Sequence, residues 1–107
     1  MLSLANKECK PCRGDVPALG PQEVDALLKE VDGWSSFNAE RIEKSYLFKD
    51  FMGAMTLANK IAEIAEQEGH HPDLHIRWGE LRVEIWTHAV NGLTENDFIL
   101  AAKIDSL

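Results

Sequence analysis

Three of the four histidines in this chain occur close to carboxylates. His70 and His71 are adjacent, with Glu66 four residues before the first of them, and His88 is followed by Asp97. Imidazole has an unperturbed pKa of roughly 6.5, so both of its protonation states are available near neutrality. Two or three imidazoles meeting one small molecule would supply an acid and a base together, and the chemistry suggested is proton transfer at both ends of a small substrate. Glu66 and Asp97 are placed to orient such rings and to favour their cationic form. Each residue also has a plainer role. His70 and His71, between Gly69 and Pro72, would satisfy carbonyls at a helix end. Glu66 would be a solvated helix residue, and Asp97 the acid of a capping box.

The elements that must position these groups follow from periodicity. Val24, Leu27, Leu28 and Val31 recur at helical spacing after Pro21, with Gly33 past the end. Trp34–Asn38 and Arg41–Phe48 read as a hairpin. Asp50 caps a long helix with the apolar stripe Phe51, Met55, Ala58, Ile61, Ala62 and Ala65, ending at Gly69. Leu74, Ile76 and Trp78 alternate with polar residues, as do Leu81, Val83 and Ile85. Taking Gly79-Glu80 as the turn pairs Trp78 with Leu81, Ile76 with Val83 and Leu74 with Ile85, all on one face. Extended past Pro72, that register sets His71 opposite His88, with side-chain origins roughly 5 Å apart. Thr94 opens a last helix through Phe98, Ala101, Ala102 and Ile104, with Asp97 at its third position. The order α-β-β-α-β-β-α predicts an α+β fold: a four-stranded antiparallel sheet with helices on one face.

Composition narrows the function. The 107 residues suit one domain, 21–107, and a chain this short gains from oligomerisation. A net charge of −7 argues against direct nucleic-acid binding. The longest apolar run, Phe98–Ala102, is far short of a membrane span, and the N-terminus lacks the apolar core of a signal peptide, so a cytoplasmic protein is expected. Residues 1–20 carry glycines and prolines at irregular spacing and read as a flexible arm. Its Cys9 and Cys12 form a lone Cys-Lys-Pro-Cys that neither completes a zinc site nor opens a helix after a strand, and they read as free thiols. Trp34 and Trp86 suit stacking on a flat ring or ordinary packing. His75 and Arg77 read as surface residues.

The stretch Glu66-Gln-Glu-Gly-His70-His71-Pro72, followed at fixed gaps by Trp78, His88 and Asp97, resembles the pterin-4a-carbinolamine dehydratases. The resemblance extends over roughly residues 20–107, and the Cys-x-Pro-Cys-Arg-Gly start is similar to bacterial members. It implies dehydration of 4a-hydroxytetrahydrobiopterin or a related pterin to the quinonoid dihydropterin. By the same resemblance His70, His71 and His88 are catalytic, Glu66 and Asp97 support them, and Trp34, Pro72 and Asp73 bind substrate. It further implies no metal or organic cofactor, and a homodimer or homotetramer. Some animal members of the family bind a homeodomain transcription factor, so a non-catalytic interaction module of the same fold is the alternative. A histidine-based metal site is a third reading, weakened by the lack of a paired cysteine or carboxylate ligand set.

Overall fold

In the computed structural model, which describes residues 4–10 and 17–107, the sequence periodicities become seven regular elements. Helix α1 spans Pro21–Leu28, strands β1 and β2 span Ser35–Phe37 and Arg41–Leu47, and helix α2 spans Phe51–Glu68. Strands β3 and β4 span Asp73–Arg77 and Glu80–Ile85, and helix α3 spans Glu95–Asp105. Short 3-10 turns cover Leu4–Asn6 and His88–Val90. The four strands form one antiparallel sheet in the order β1-β2-β4-β3, the expected α+β architecture.

The central strands supply one apolar face. Ile42, Leu81, Val83 and Ile85 are fully buried there in one cluster with Ala54, Ala58 and Ile61 of α2 and Phe98, Leu100 and Ala101 of α3. The opposite face carries Glu43, Ser45, Arg82 and Glu84, as alternation along a strand requires. On α2 the buried stripe is shifted from the one expected: Ala54 is buried, whereas Phe51 and Ala62 are exposed.

The β3–β4 register differs from expectation by two residues. The closing pair is Arg77 with Glu80, joined by an ion pair, so Leu74 faces Val83 and Ile76 faces Leu81. The turn is therefore Trp78-Gly79. Its second residue has φ +77°, a conformation that glycine adopts without steric cost, and this fixes which two residues form the loop. A shift of two preserves parity, so the apolar set keeps its face. Because β3 lies at the sheet edge, however, Ile76 stays partly exposed, and Trp78 is 71% exposed in the turn. The ladder stops at Asp73 opposite Glu84, so His71 and His88 are not a cross-strand pair.

Residues 4–10, read from sequence as part of a flexible arm, lie against α3. Leu4 is buried in the core, and the amide of Lys10 donates to Asn96 Oδ1 at 2.9 Å. The physical reason lies in α3. Asn96 through Ala101 are all buried, and a helix that is apolar on every side needs cover on every side. Cys9 is a free thiol, and Cys12 lies outside the described residues.

Candidate active site

The positions of the three histidines follow from how α2 ends and α3 begins. Helix α2 finishes on Gly69 in the left-handed conformation at φ +63°, with the amides of Gly69 and His70 both donating to the Ala65 carbonyl. The chain then runs without regular structure through Pro72 into β3. His70 is buried at 8% exposure, while His71 and Asp73 are exposed and Pro72 is half-buried.

Asp97 is fully buried at the start of α3 and has two jobs. Its Oδ2 accepts from the Thr94 amide at 2.9 Å, the capping interaction, and from Thr87 Oγ1 at 2.8 Å. Its Oδ1 lies 2.6 Å from His70 Nε2. A carboxylate only accepts, so His70 donates from Nε2, leaving Nδ1 as the nitrogen able to take or give a proton. The capping and orienting roles that compete in the sequence are both filled by one side chain.

Thr87 links the remaining histidine to this centre. It is buried, forms an isolated antiparallel bridge with Gly92, and immediately precedes His88. The Thr87–Gly92 closure shapes the 3-10 turn that carries His88, which ends at Asn91 in the left-handed region at φ 51°. His88 is exposed, its ring 4.5 Å from that of Trp86. His71 is also exposed, with Nε2 2.5 Å from Glu66 Oε2, so it too is oriented by a carboxylate. Asp97 thus ties His70 directly, and the residue before His88 through Thr87, while His71 pairs separately with Glu66. Sequence reading missed Thr87; its one signal was a β-branched hydroxyl residue directly before the histidine.

Trp86 also lines a cavity of about 240 Å³ with Glu40, Arg41, Glu84 and Asn91. Arg41 lies over the Phe37 ring at 4.8 Å, and its buried Nε has no hydrogen-bond partner among the described residues. Trp34 is elsewhere. Its indole donates to Asp105 Oδ2 at 2.9 Å, and Lys44 and the Tyr46 hydroxyl, both at 2.8 Å, donate to Oδ1 of the same carboxylate. Burial and the hydrogen bond to Asp105 push the Tyr46 hydroxyl well above its ordinary pKa. Asp97 and Asp105 are eight residues apart on one helix, about 12 Å along its axis. The structure therefore does not bring Trp34 to the histidines. His75 pairs with Glu84 at 3.1 Å on the polar sheet face. Among the described residues no three His, Cys, Asp or Glu side chains are arranged to hold a metal ion, and no helix is long and apolar enough to cross a membrane.

This α+β domain carries two histidines paired with carboxylates, one pair buried and one exposed. Comparison with known proteins is specific. The family model described as pterin 4 alpha carbinolamine dehydratase matches residues 17–107, and the chain belongs to that family of dehydrating lyases. The chain is 55% identical over 107 residues to a protein of Rickettsia canadensis assigned by name to these dehydratases, covering 99% of this chain and 98% of the relative. It is 45% identical to the mitochondrial pterin-4-alpha-carbinolamine dehydratase 2 of Arabidopsis thaliana, covering all of this chain and 60% of that one. Among solved structures, the transcriptional coactivator/pterin dehydratase of Brucella melitensis superposes with a TM-score of 0.78 at 33% identity, covering 83% of this chain and 96% of that one.

Proposed function

We propose that this protein removes water from a 4a-hydroxytetrahydropterin, giving the quinonoid dihydropterin, with His70, His71 and His88 as the proton-transfer groups. The observation that carries this is the buried Asp97 carboxylate, which holds His70 through one oxygen and the residue before His88 through the other. That arrangement supports two imidazoles held in fixed relation around one ligand.

The reaction needs one proton delivered and one removed. The C4a–O bond breaks as the hydroxyl takes a proton and leaves as water, while a ring nitrogen gives up its proton to a base and the C4a–N double bond forms. Atoms and charge balance without any redox step. Glu66 orients the His71 ring through Nε2, and in this reading His71 stands at the hydroxyl. No carboxylate partners His88 among the described residues, and it suits the base. The cavity beside Trp86, whose ring lies 4.5 Å from that of His88, would offer a seat for a flat heterocycle, with Asp73 paired across from its lining residue Glu84. General acid–base catalysis of this kind contributes roughly 100-fold to 10,000-fold.

Stopped-flow absorbance of freshly generated 4a-carbinolamine, with and without the protein, tests the reading. Catalysed decay to the quinonoid product is expected. Decay at the uncatalysed rate with micromolar folded protein would overturn it.

A further inference from the structure

The segment ahead of α1 makes contacts that the proposed chemistry does not yet use. The Cys9 amide donates to Glu68 Oε1 at 2.8 Å, two residues before His70. The next residue, Lys10, is clasped at both of its backbone groups by one side chain: its amide donates to Asn96 Oδ1 at 2.9 Å, and Asn96 Nδ2 donates to its carbonyl at 2.6 Å. Asn96 is buried and immediately precedes Asp97. Lys103 of α3 ties the same segment from below, donating to the Ala5 carbonyl at 2.9 Å and lying 4.0 Å from Glu68. Two consecutive residues therefore join the end of α2 to the first turn of α3.

Those two elements meet in the His70–Asp97 hydrogen bond, one partner from each. Any change in the spacing of the α2 end and the α3 start acts directly on that 2.6 Å contact. A clasp on both backbone groups of one residue also resists sliding, which a single hydrogen bond would not. Cys9 is not the reactive part of the strap: burial, and then the charge of Glu68, push its thiol up to about 12, so it stays protonated and inert.

We propose that residues 4–10 are a strap that positions the proton-transfer pair, with Asn96 and Glu68 as positioning residues that act through Asp97 and His70. The proposal rests on the dehydratase reading for its kinetic consequence, but not for its structural one. Misplacing a reacting group by about 1 Å costs up to 100-fold in rate, so partial loosening should be felt in turnover more than in substrate binding.

The test uses the full chain. Asn96→Ala should lower kcat about 10-fold with KM within about twofold. The His70 ring N–H proton, followed by NMR, should exchange with water at least about 10-fold faster at a temperature where circular dichroism shows intact fold. Glu68→Ala should shift both readouts in the same direction, and Glu68→Gln, which keeps the acceptor for the Cys9 amide, should restore them. A lowered melting temperature with unchanged kcat and unchanged ring-proton exchange would reduce the strap to ordinary packing and overturn the proposal. If Asn96→Ala does not fold, the Glu68 pair decides by the same criteria. If the wild-type protein shows no dehydratase activity, the functional reading fails, and ring-proton exchange in the same variants still decides the strap.

Discussion

Asp97→Asn isolates the charge of the central carboxylate from its shape. In the wild type three hydrogen bonds converge on Asp97, two on Oδ2 from Thr94 and Thr87 and one on Oδ1 from His70. An asparagine that keeps its carbonyl oxygen in the Oδ2 position retains the first two, and its amide nitrogen then faces His70 Nε2. Two donors cannot pair, so His70 must move its proton to Nδ1 and accept at Nε2. The nitrogen able to take a proton is then turned away from the chemistry, and the imidazolium loses its counter-charge. All three contacts keep a donor and an acceptor but the one to His70 loses its charge, so the stability cost should be about 1 kcal/mol, the difference between a charge-assisted and a neutral hydrogen bond. For a domain of this size that is roughly 4–8 °C in melting temperature. Turnover should fall by roughly 100-fold to 10,000-fold. Stopped-flow dehydration and thermal melts on the same preparation separate the two effects. Turnover within threefold of wild type in folded Asp97→Asn would refute the His70–Asp97 pair as part of the working site.

Further measurements probe the rest of the site. His71→Ala and His88→Ala should each depress turnover roughly 100-fold or more with the fold intact, because both side chains are exposed. The double variant should lose less than the product of the single losses, and His75→Ala should change the rate little; wild-type-like rates in both single variants would remove these residues from the mechanism. Trp34→Phe removes the indole donor to Asp105 and should cost about 1 kcal/mol of stability with KM and kcat unchanged, so a raised KM would return Trp34 to the substrate site. Native Cys9 should resist iodoacetamide at pH 8.5 by peptide mass mapping and react once denaturant is added. Its folded pKa of about 12 lies above the ordinary 9.0, so its stabilising contribution is complete below pH 9 and is lost as pH rises from there toward 12. Sedimentation at micromolar concentration should give a dimer or tetramer, as expected for a short chain with sheet edges to cover, and a clean monomer would contradict it.

Most of the fold could be read because local signals agreed with one another. Asp50 before an apolar stripe and Gly69 after it fixed both ends of α2, and alternation in 74–85 fixed two strands. The β3–β4 register was off by two because parity cannot distinguish a pairing from its neighbour two residues away. Only backbone conformation at Gly79 decides it, and sequence alone does not say which loop position takes the positive φ. Thr87, Asp97 and the turn after Gly69, which hold His70 and the residue before His88, do not depend on the hairpin pairing.

The N-terminal segment shows where local reading stops. Gly14, Pro11 and Pro17 remove any periodicity, so residues 1–20 look unstructured when read on their own. The information about residues 4–10 lies instead in α3. Phe98-Ile99-Leu100-Ala101-Ala102 are five consecutive apolar residues on a helix, and at 100° per residue they cannot all face one sheet. Such a helix requires cover on more than one side, and α2 packs against only part of it. Leu4 supplies part of that cover, and Asn96, polar yet buried at the same helix start, pairs with the backbone of the segment that buries it. A buried amide side chain needs partners for both its donor and its acceptor, and the Lys10 backbone offers both. The apolar run thus demands a strap, the asparagine fixes which residue of the strap it holds, and the next residue in the chain is the carboxylate that orients His70.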